Sequence, residues 1–353
     1  MEKKSETSLV RPKIRNHYVP KFYLSGFSDP HNPPYVWMYD KRSTDVRKTT
    51  VENIAVRNYY YSFIDEKGVK DSQSFENALS HLESQAAPVF RDIQGKEPLE
   101  KEKRVIFAVF LALMMTRVPA FREDTEQATG KMVEHIGRTI ASDSKAFRQW
   151  IKKFQRETGT DIQMPVAELR KLFLQRDWEV RTDPQTSLAM IPEIAEPLVG
   201  ILLKMRWAFL EGRGYQKFVT SDNPAFHLNR IRPLDLTRGM GLWDKNVEVT
   251  FPVSKDQVFF GTWNGASGYG TIDNASVKAI NRRTVIMSLR FVFGSQCSKG
   301  LQSLVQKYKG AGVKLKVSTI GPYIVAQRVI ESGRKKGFTD FEQRQVVIRL
   351  AKE

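Results

Sequence analysis

Apolar residues recur at spacings of three and four through Phe75, Ala78, Leu79, Leu82, Ala86, Val89, Phe90 and Ile93, which predicts one long helix with a single buried face. Pro88 falls inside that pattern and is expected to kink or divide the helix. A second helix is expected from about Glu100 to Thr116, stopped near Pro119. Its middle, Val105 to Met115, is 11 apolar residues without interruption, the mark of a helix buried on all sides. That run is shorter than the ~18 residues of a membrane span. Further helical patterns cover about 122–141, 144–157, 165–178 and 192–208, the last broken at Pro197, and helix returns near 300–309 and after Thr339.

Strand patterns lie on both sides of this helical stretch. Before it come Tyr35–Asp40 and Asn58–Ile64, a pair able to align, and a short helix is expected from Pro20 to Phe27. After it, Gly212-Arg213-Gly214 reads as a hairpin turn joining 207–210 to 217–220, and strands follow at 247–253, 257–263, 285–293 and 313–318. The order strand-poor, helical, strand-rich predicts an α+β fold, predominantly helical in its N-terminal and middle part and strand-rich in its C-terminal part. Three segments are expected: a flexible basic arm over 1–15; a domain over 16–310 with a helical lobe at about 70–208 and a strand-rich lobe at about 209–310; and a basic extension over 311–353.

Composition narrows the class. An apolar share of 41% with six Trp and 21 Phe is that of a folded protein. The single cysteine, Cys297, rules out an intramolecular disulfide and a cysteine-based zinc site. His31, His81, His135 and His227 show no metal-ligand spacing, and no glycine-rich phosphate loop is present. With a polar start that lacks the apolar run of a signal peptide, the expected location is cytoplasmic, with no membrane partner. The net charge of +17 is uneven: Lys278 to Glu353 holds 16 Lys and Arg against 4 Asp and Glu, a net +12. Such a field attracts polyanions, so DNA or RNA is the expected partner, with Arg282, Arg283, Arg334, Lys335 and Lys336 as contacts; a solvated basic surface is the alternative.

The run Asn16-His17-Tyr18-Val19-Pro20-Lys21-Phe22-Tyr23-Leu24-Ser25-Gly26-Phe27 sets one imidazole beside a fixed proline and an aromatic-rich turn. It resembles the opening of a bacterial family known as domain of unknown function 4238, whose members begin with a His-Tyr-x-Pro-x-x-Tyr-Leu run. Glu83 in Leu82–Val89, Arg117 after the apolar helix, Thr220-Ser221-Asp222-Asn223-Pro224 and Phe251-Pro252-Val253-Ser254 also look like positions of that family's pattern, over roughly residues 16–310. Where the family commonly has Leu-Ser-Pro, this chain has Val253-Ser254-Lys255. The resemblance implies no reaction.

Each of these polar residues admits more than one reading. His17 has the pKa range of a proton-transfer group, or it ties the N-terminal segment to backbone carbonyls. Glu76 and Glu83, seven residues apart, flank the apolar stripe and either face one cleft or are solvated. Arg117 offers a planar fork to a phosphate or carboxylate ligand, or it snorkels, is buried against a carboxylate such as Glu83, or complements a helix C-terminus. Asp222 sits at a strand end as a metal ligand or base, or builds a turn. Tyr59-Tyr60-Tyr61 either stack bases or fill the core.

The leading expectation is a nuclease-like phosphodiesterase. In it His17 or Asp222 activates the nucleophile, Arg117 stabilises phosphoryl charge, and Glu83 with Asp222 holds a Mg²⁺ or Mn²⁺ ion. The alternative is a non-catalytic nucleic-acid- or protein-binding module in which the same residues form a buried network.

Overall fold

The computed structural model describes residues 14–64, 68–175, 184–229, 242–310, 312–320, 323–331 and 347–348, the last three spans through their backbone alone. In chain order the first elements are β1 (Arg15–His17), α1 (Lys21–Ser25), β2 (Tyr35–Asp40), β3 (Val46–Thr50), β4 (Val56–Asn58), β5 (Phe63–Ile64) and β6 (Lys70–Asp71). Six helices follow: α2 (Ser74–Gly95), α3 (Lys101–Thr116), α4 (Pro119–Ser142), α5 (Ser144–Thr158), α6 (Val166–Gln175) and α7 (Pro184–Lys204). Then come β7 (Arg206–Gly212), β8 (Thr220–Ser221), β9 (Phe226–Asn229), β10 (Val247–Pro252), β11 (Gln257–Thr262), β12 (Gly268–Ile272), α8 (Asn274–Met287), β13 (Phe291–Gly294) and α9 (Lys299–Lys307), and last the strands β14 (Gly312–Ile320), β15 (Tyr323–Glu331) and β16 (Val347–Ile348).

The expectation of a predominantly helical N-terminal part is corrected by this order. Helices occupy the middle, and strands are spread through both the N-terminal and the C-terminal parts. The N-terminal strands are two to six residues long, too short for an alternating pattern to stand out.

Two sheets organise the molecule. One has the order β12-β7-β11-β10-β9, antiparallel except where β12 joins β7; the other, β3-β2-β13-β8, is antiparallel throughout. Val247, Val249 and Phe251 alternate along β10 with Glu248 and Thr250, as a strand with two different faces requires. Phe251 meets the rings of Phe90, Phe107 and Phe110, so α2 and α3 cover that face. On the other face Arg283 of α8 pairs with Glu248. Helix α8 also turns Val285 and Ile286 toward Tyr39 of β2 and Val292 of β13, and thus joins both sheets.

The apolar run of α3 is buried on one side rather than all round: Phe107, Ala108, Phe110, Leu111, Ala112 and Met114 are inside, while Val105 is exposed and Ile106, Val109, Leu113 and Met115 are partly so. By length and apolarity α7 passes as a membrane span, and α3 with α4 does so as a pair bent by 59°. Leu188, Ile191 and Leu202 of α7 are nevertheless buried in the same core as α3.

Several local expectations are corrected too. Pro88 does not divide α2, nor do Pro192 and Pro197 break α7; in α2 the buried Val89, Phe90 and Ile93 beyond the proline hold the helix to the core. Gly212–Gly214 is no hairpin turn, because β7 pairs with β11 and β12 while β8 pairs with β13 in the other sheet. Tyr35–Asp40 and 58–64 do not pair; β2 lies between β3 and β13. The run 285–293 divides: its first three residues end α8, whose start is fixed by Asp273 accepting the Ser276 amide, and its last three begin β13. The helix expected after Thr339 falls largely outside the described residues.

Candidate functional site

Strand β1 places the opening motif. Pairing with β4 aligns Asn16 with Arg57 and His17 with Val56, and alternation turns Asn16 and His17 to opposite sides. Asn16 is buried: its Nδ2 donates to Glu76 Oε2 at 3.3 Å, and its Oδ1 accepts the Tyr60 amide at 2.9 Å. The half-buried His17 directs Nε2 to the carbonyl of Val51 at 3.3 Å. Burial lowers its pKa, Lys21 and Arg15 act in the same direction, and the Val51 contact and Glu76 oppose them. The ring is therefore held mainly neutral, with one nitrogen tied to the backbone.

Arg117 ends α3 and is 1% exposed. Its Nη1 donates to Glu83 Oε1 at 3.0 Å, its Nη2 lies 3.3 Å from Met114 Sδ, and its carbonyl accepts the Tyr60 hydroxyl at 3.0 Å. Glu83 and Arg117 are thus brought together, as the reading of Arg117 buried against a carboxylate anticipated. Tyr60 and Tyr61 fill the core and Tyr59 is exposed.

Asp222, 2% exposed, belongs to a different polar node. Its Oδ1 accepts the Leu289 amide at 2.8 Å, and its Oδ2 accepts those of Arg290 and Phe291 at 2.7 and 2.8 Å. Burial pushes its carboxyl up, while the three amides and the charge of Lys41 pull the other way. Lys41 is itself buried, and its Nζ donates to the carbonyls of Val285 at 2.9 Å and Ser288 at 2.7 Å. Burial lowers its pKa to about 8. Nearby, Arg290 holds Asp40 through Nε and Nη2.

The four candidate residues therefore divide. Glu83 and Arg117 form one pair, Glu76 and Asn16 link His17's strand to α2, and Asp222 closes the turn between α8 and β13. Both oxygens of the buried Asp222 already accept amides, which leaves about one lone-pair site of the carboxylate for any cation. Among the described residues no group of three or more His, Cys, Asp or Glu side chains is placed to hold a metal.

Tyr23 connects the motifs that looked dispersed. Its hydroxyl lies 2.7 Å from Thr220 Oγ1 and donates to the carbonyl of Pro252 at 2.8 Å, while its ring stacks on Phe251 at 4.9 Å. The opening run, Thr220–Pro224 and Phe251–Ser254 meet at this one side chain. Lys255 adds a backbone bond to the Gly26 carbonyl at 2.9 Å; a side chain at position 26 would press on the Tyr23 carbonyl.

Residues 15–298 match the family described as protein of unknown function (DUF4238). The chain belongs to that family. The match contains β1, the Tyr23 node, the Glu83–Arg117 pair and the Asp222 turn, and it ends at Ser298, the N-cap of α9. No curated protein and no solved structure matches the chain.

Two residues central to this arrangement escaped sequence reasoning. Lys41 follows a strand and looks like a solvated loop lysine, so no local signal announces its burial. Tyr23 was visible within the opening run, but its partners lie 197 and 229 residues away. Of the five basic contacts expected for nucleic acid, Arg283 is engaged by Glu248, Arg282 donates Nε to the Tyr308 hydroxyl at 2.7 Å, and Arg334, Lys335 and Lys336 lie outside the described residues.

Proposed function

We propose that this protein is a non-catalytic nucleic-acid-binding module, with its motif residues serving as scaffold and α8 and α9 as the contact surface. The supporting observation is a charge imbalance on exposed helices. Asn274–Gly310 contains seven Lys and Arg and no Asp or Glu. Arg283 is engaged by Glu248 and Arg290 by Asp40. That leaves Lys278, Arg282, Lys299, Lys307 and Lys309, all exposed. Five phosphate contacts correspond to a slope of about −4.5 in log affinity against log salt on duplex DNA.

The non-catalytic part of the reading rests on Asp222, whose carboxylate accepts three amides, and on His17, whose ring is tied to Val51. The buried Asp222 carboxylate is committed to those amides and His17 Nε2 to the Val51 carbonyl, so both groups have structural partners. Fluorescence anisotropy with labelled single- and double-stranded DNA and RNA, between about 50 and 200 mM salt, tests the binding. The expected result is a steep salt dependence, with the slope reduced by about three when Lys299, Lys307 and Lys309 are all changed to Glu. Salt-independent binding, or binding unaffected by that triple change, defeats the assignment. Cleavage of any of these probes with Mg²⁺ or Mn²⁺ defeats the non-catalytic part.

A further inference from the structure

A cavity of about 530 Å³ opens between α8, α9 and the segment Gln216–Val219. That volume is within the range of small-molecule sites, and the cavity lies apart from the motif residues described above. Its wall is of two kinds. Phe218, Val219, Leu301 and Leu304 give an apolar side, and Lys217, Lys278 and Arg282 give a cationic one; no carboxylate lines it.

The three cations are not equivalent. Lys217 is held by Asp256 at 2.7 Å, so its charge is largely compensated. Lys278 has no ion pair among the described residues and lies one helical turn before Arg282 on the same face of α8. Arg282 is fixed through Nε to the Tyr308 hydroxyl, which leaves its two Nη groups as donors. Ser298 and Gly300 bring the first turn of α9 to the same wall. Ser298 Oγ takes the Leu301 amide, and the amides of Lys299 and Gly300 are further donors of that terminus.

We infer that this cavity binds a small organic phosphate monoester, with its phosphate between Lys278, Arg282 and the first turn of α9 and its body against Leu301 and Leu304. Two uncompensated cations with a guanidinium fork and backbone amides suit a dianionic tetrahedral head. The apolar side favours an esterified phosphate over inorganic phosphate. This goes beyond nucleic-acid binding, because a duplex held along an exposed face has no need of an enclosed volume.

The test uses the full chain and a fluorescent N-methylanthraniloyl derivative of adenosine monophosphate, with glucose 6-phosphate and inorganic phosphate as competitors. Saturable binding is expected, displaced by organic phosphates more readily than by inorganic phosphate. The combined Lys278→Gln and Arg282→Gln changes should weaken it at least tenfold. Ala279→Trp, at an exposed position lining the cavity, fills the space without changing charge; it should abolish binding of the probe while thermal stability holds. Absence of saturable binding of the probe and of both competitors overturns the inference, as does probe binding that survives Ala279→Trp. Loss of nucleic-acid binding in the anisotropy experiment would leave this result untouched, so the two readings fail separately.

Discussion

Lys41 and Asp222 serve adjoining stretches of one backbone turn: Lys41 Nζ donates to the carbonyls that end α8, and Asp222 accepts the amides of the next three residues. The helix end leaves carbonyls without partners, and the turn leaves amides without partners. One cation and one anion, both out of solvent, answer the two needs and each other's charge. This arrangement explains an aspartate in the Thr220–Pro224 motif without any reaction.

Asp222→Ala is accordingly expected to cost about 3–5 kcal/mol, because it leaves three amides unpaired and Lys41 buried without its counter-charge. Asp222→Asn keeps the shape but turns an NH₂ group toward at least one amide donor, so most of the loss should remain. Urea denaturation of both variants measures this. A loss below about 1 kcal/mol in both would return Asp222 to the list of groups free for chemistry.

Tyr23→Phe removes one oxygen and is expected to cost about 1–3 kcal/mol, since the buried Pro252 carbonyl and Thr220 hydroxyl lose their partner while the ring stays packed on Phe251. Thr220→Val should add little to it, because the two changes break the same bond. Thermal melts of the single and double variants check the sub-additivity.

For Arg117 and Glu83, a double-mutant cycle with Arg117→Met and Glu83→Gln should give a coupling of at least about 1 kcal/mol. Glu83→Gln alone should be clearly destabilising, because it leaves a buried guanidinium with weaker compensation, and Arg117→Met should partly rescue it. Additive effects would mean that the 3.0 Å contact carries no energy.

Protonation of His17 should weaken the fold. Burial lowers its pKa below the usual 6.5, so as pH falls through that value the unfolded chain takes up a proton before the folded one does. The stabilising contribution is full above about pH 6.5, is lost on the way down to the folded value, and is constant below it. Urea midpoints of wild type and His17→Gln should therefore converge as pH drops from about 8 to about 5. A gap that widens on acidification would mean that the folded protein prefers the charged ring.

Helices with an uninterrupted period, such as α2 and α3, could be read directly, since one buried face imposes its spacing on the sequence. The strand runs at 247–253 and 257–263 were equally plain, because an apolar core lies against one side. What could not be read was pairing across distance. Nothing between Trp207 and Thr220 says that the two segments enter different sheets, and nothing near Lys41 says that a helix end will close over it. Arg117 was rightly marked as a residue buried against Glu83 or committed to a ligand, and geometry chose Glu83. Asp222 was marked by its place at a strand end, but whether its oxygens met amides or solvent depended on Leu289–Phe291, a partner that only tertiary structure supplies.

The reach of the Tyr23 hydroxyl, to a partner 229 residues downstream, also dictates an order of assembly. Until Pro252 has left the ribosome, Tyr23 lacks both its carbonyl acceptor and the Phe251 ring it stacks on, and the opening segment has only Phe90 and Phe110 of α2 and α3 to pack against. Because closing a long loop costs only about 0.6 kcal/mol more per doubling of its length, this late docking is thermodynamically cheap. Its burden is kinetic: the first segment to be synthesised is among the last to be protected, and C-terminal truncations ending before 252 should accumulate as insoluble chains.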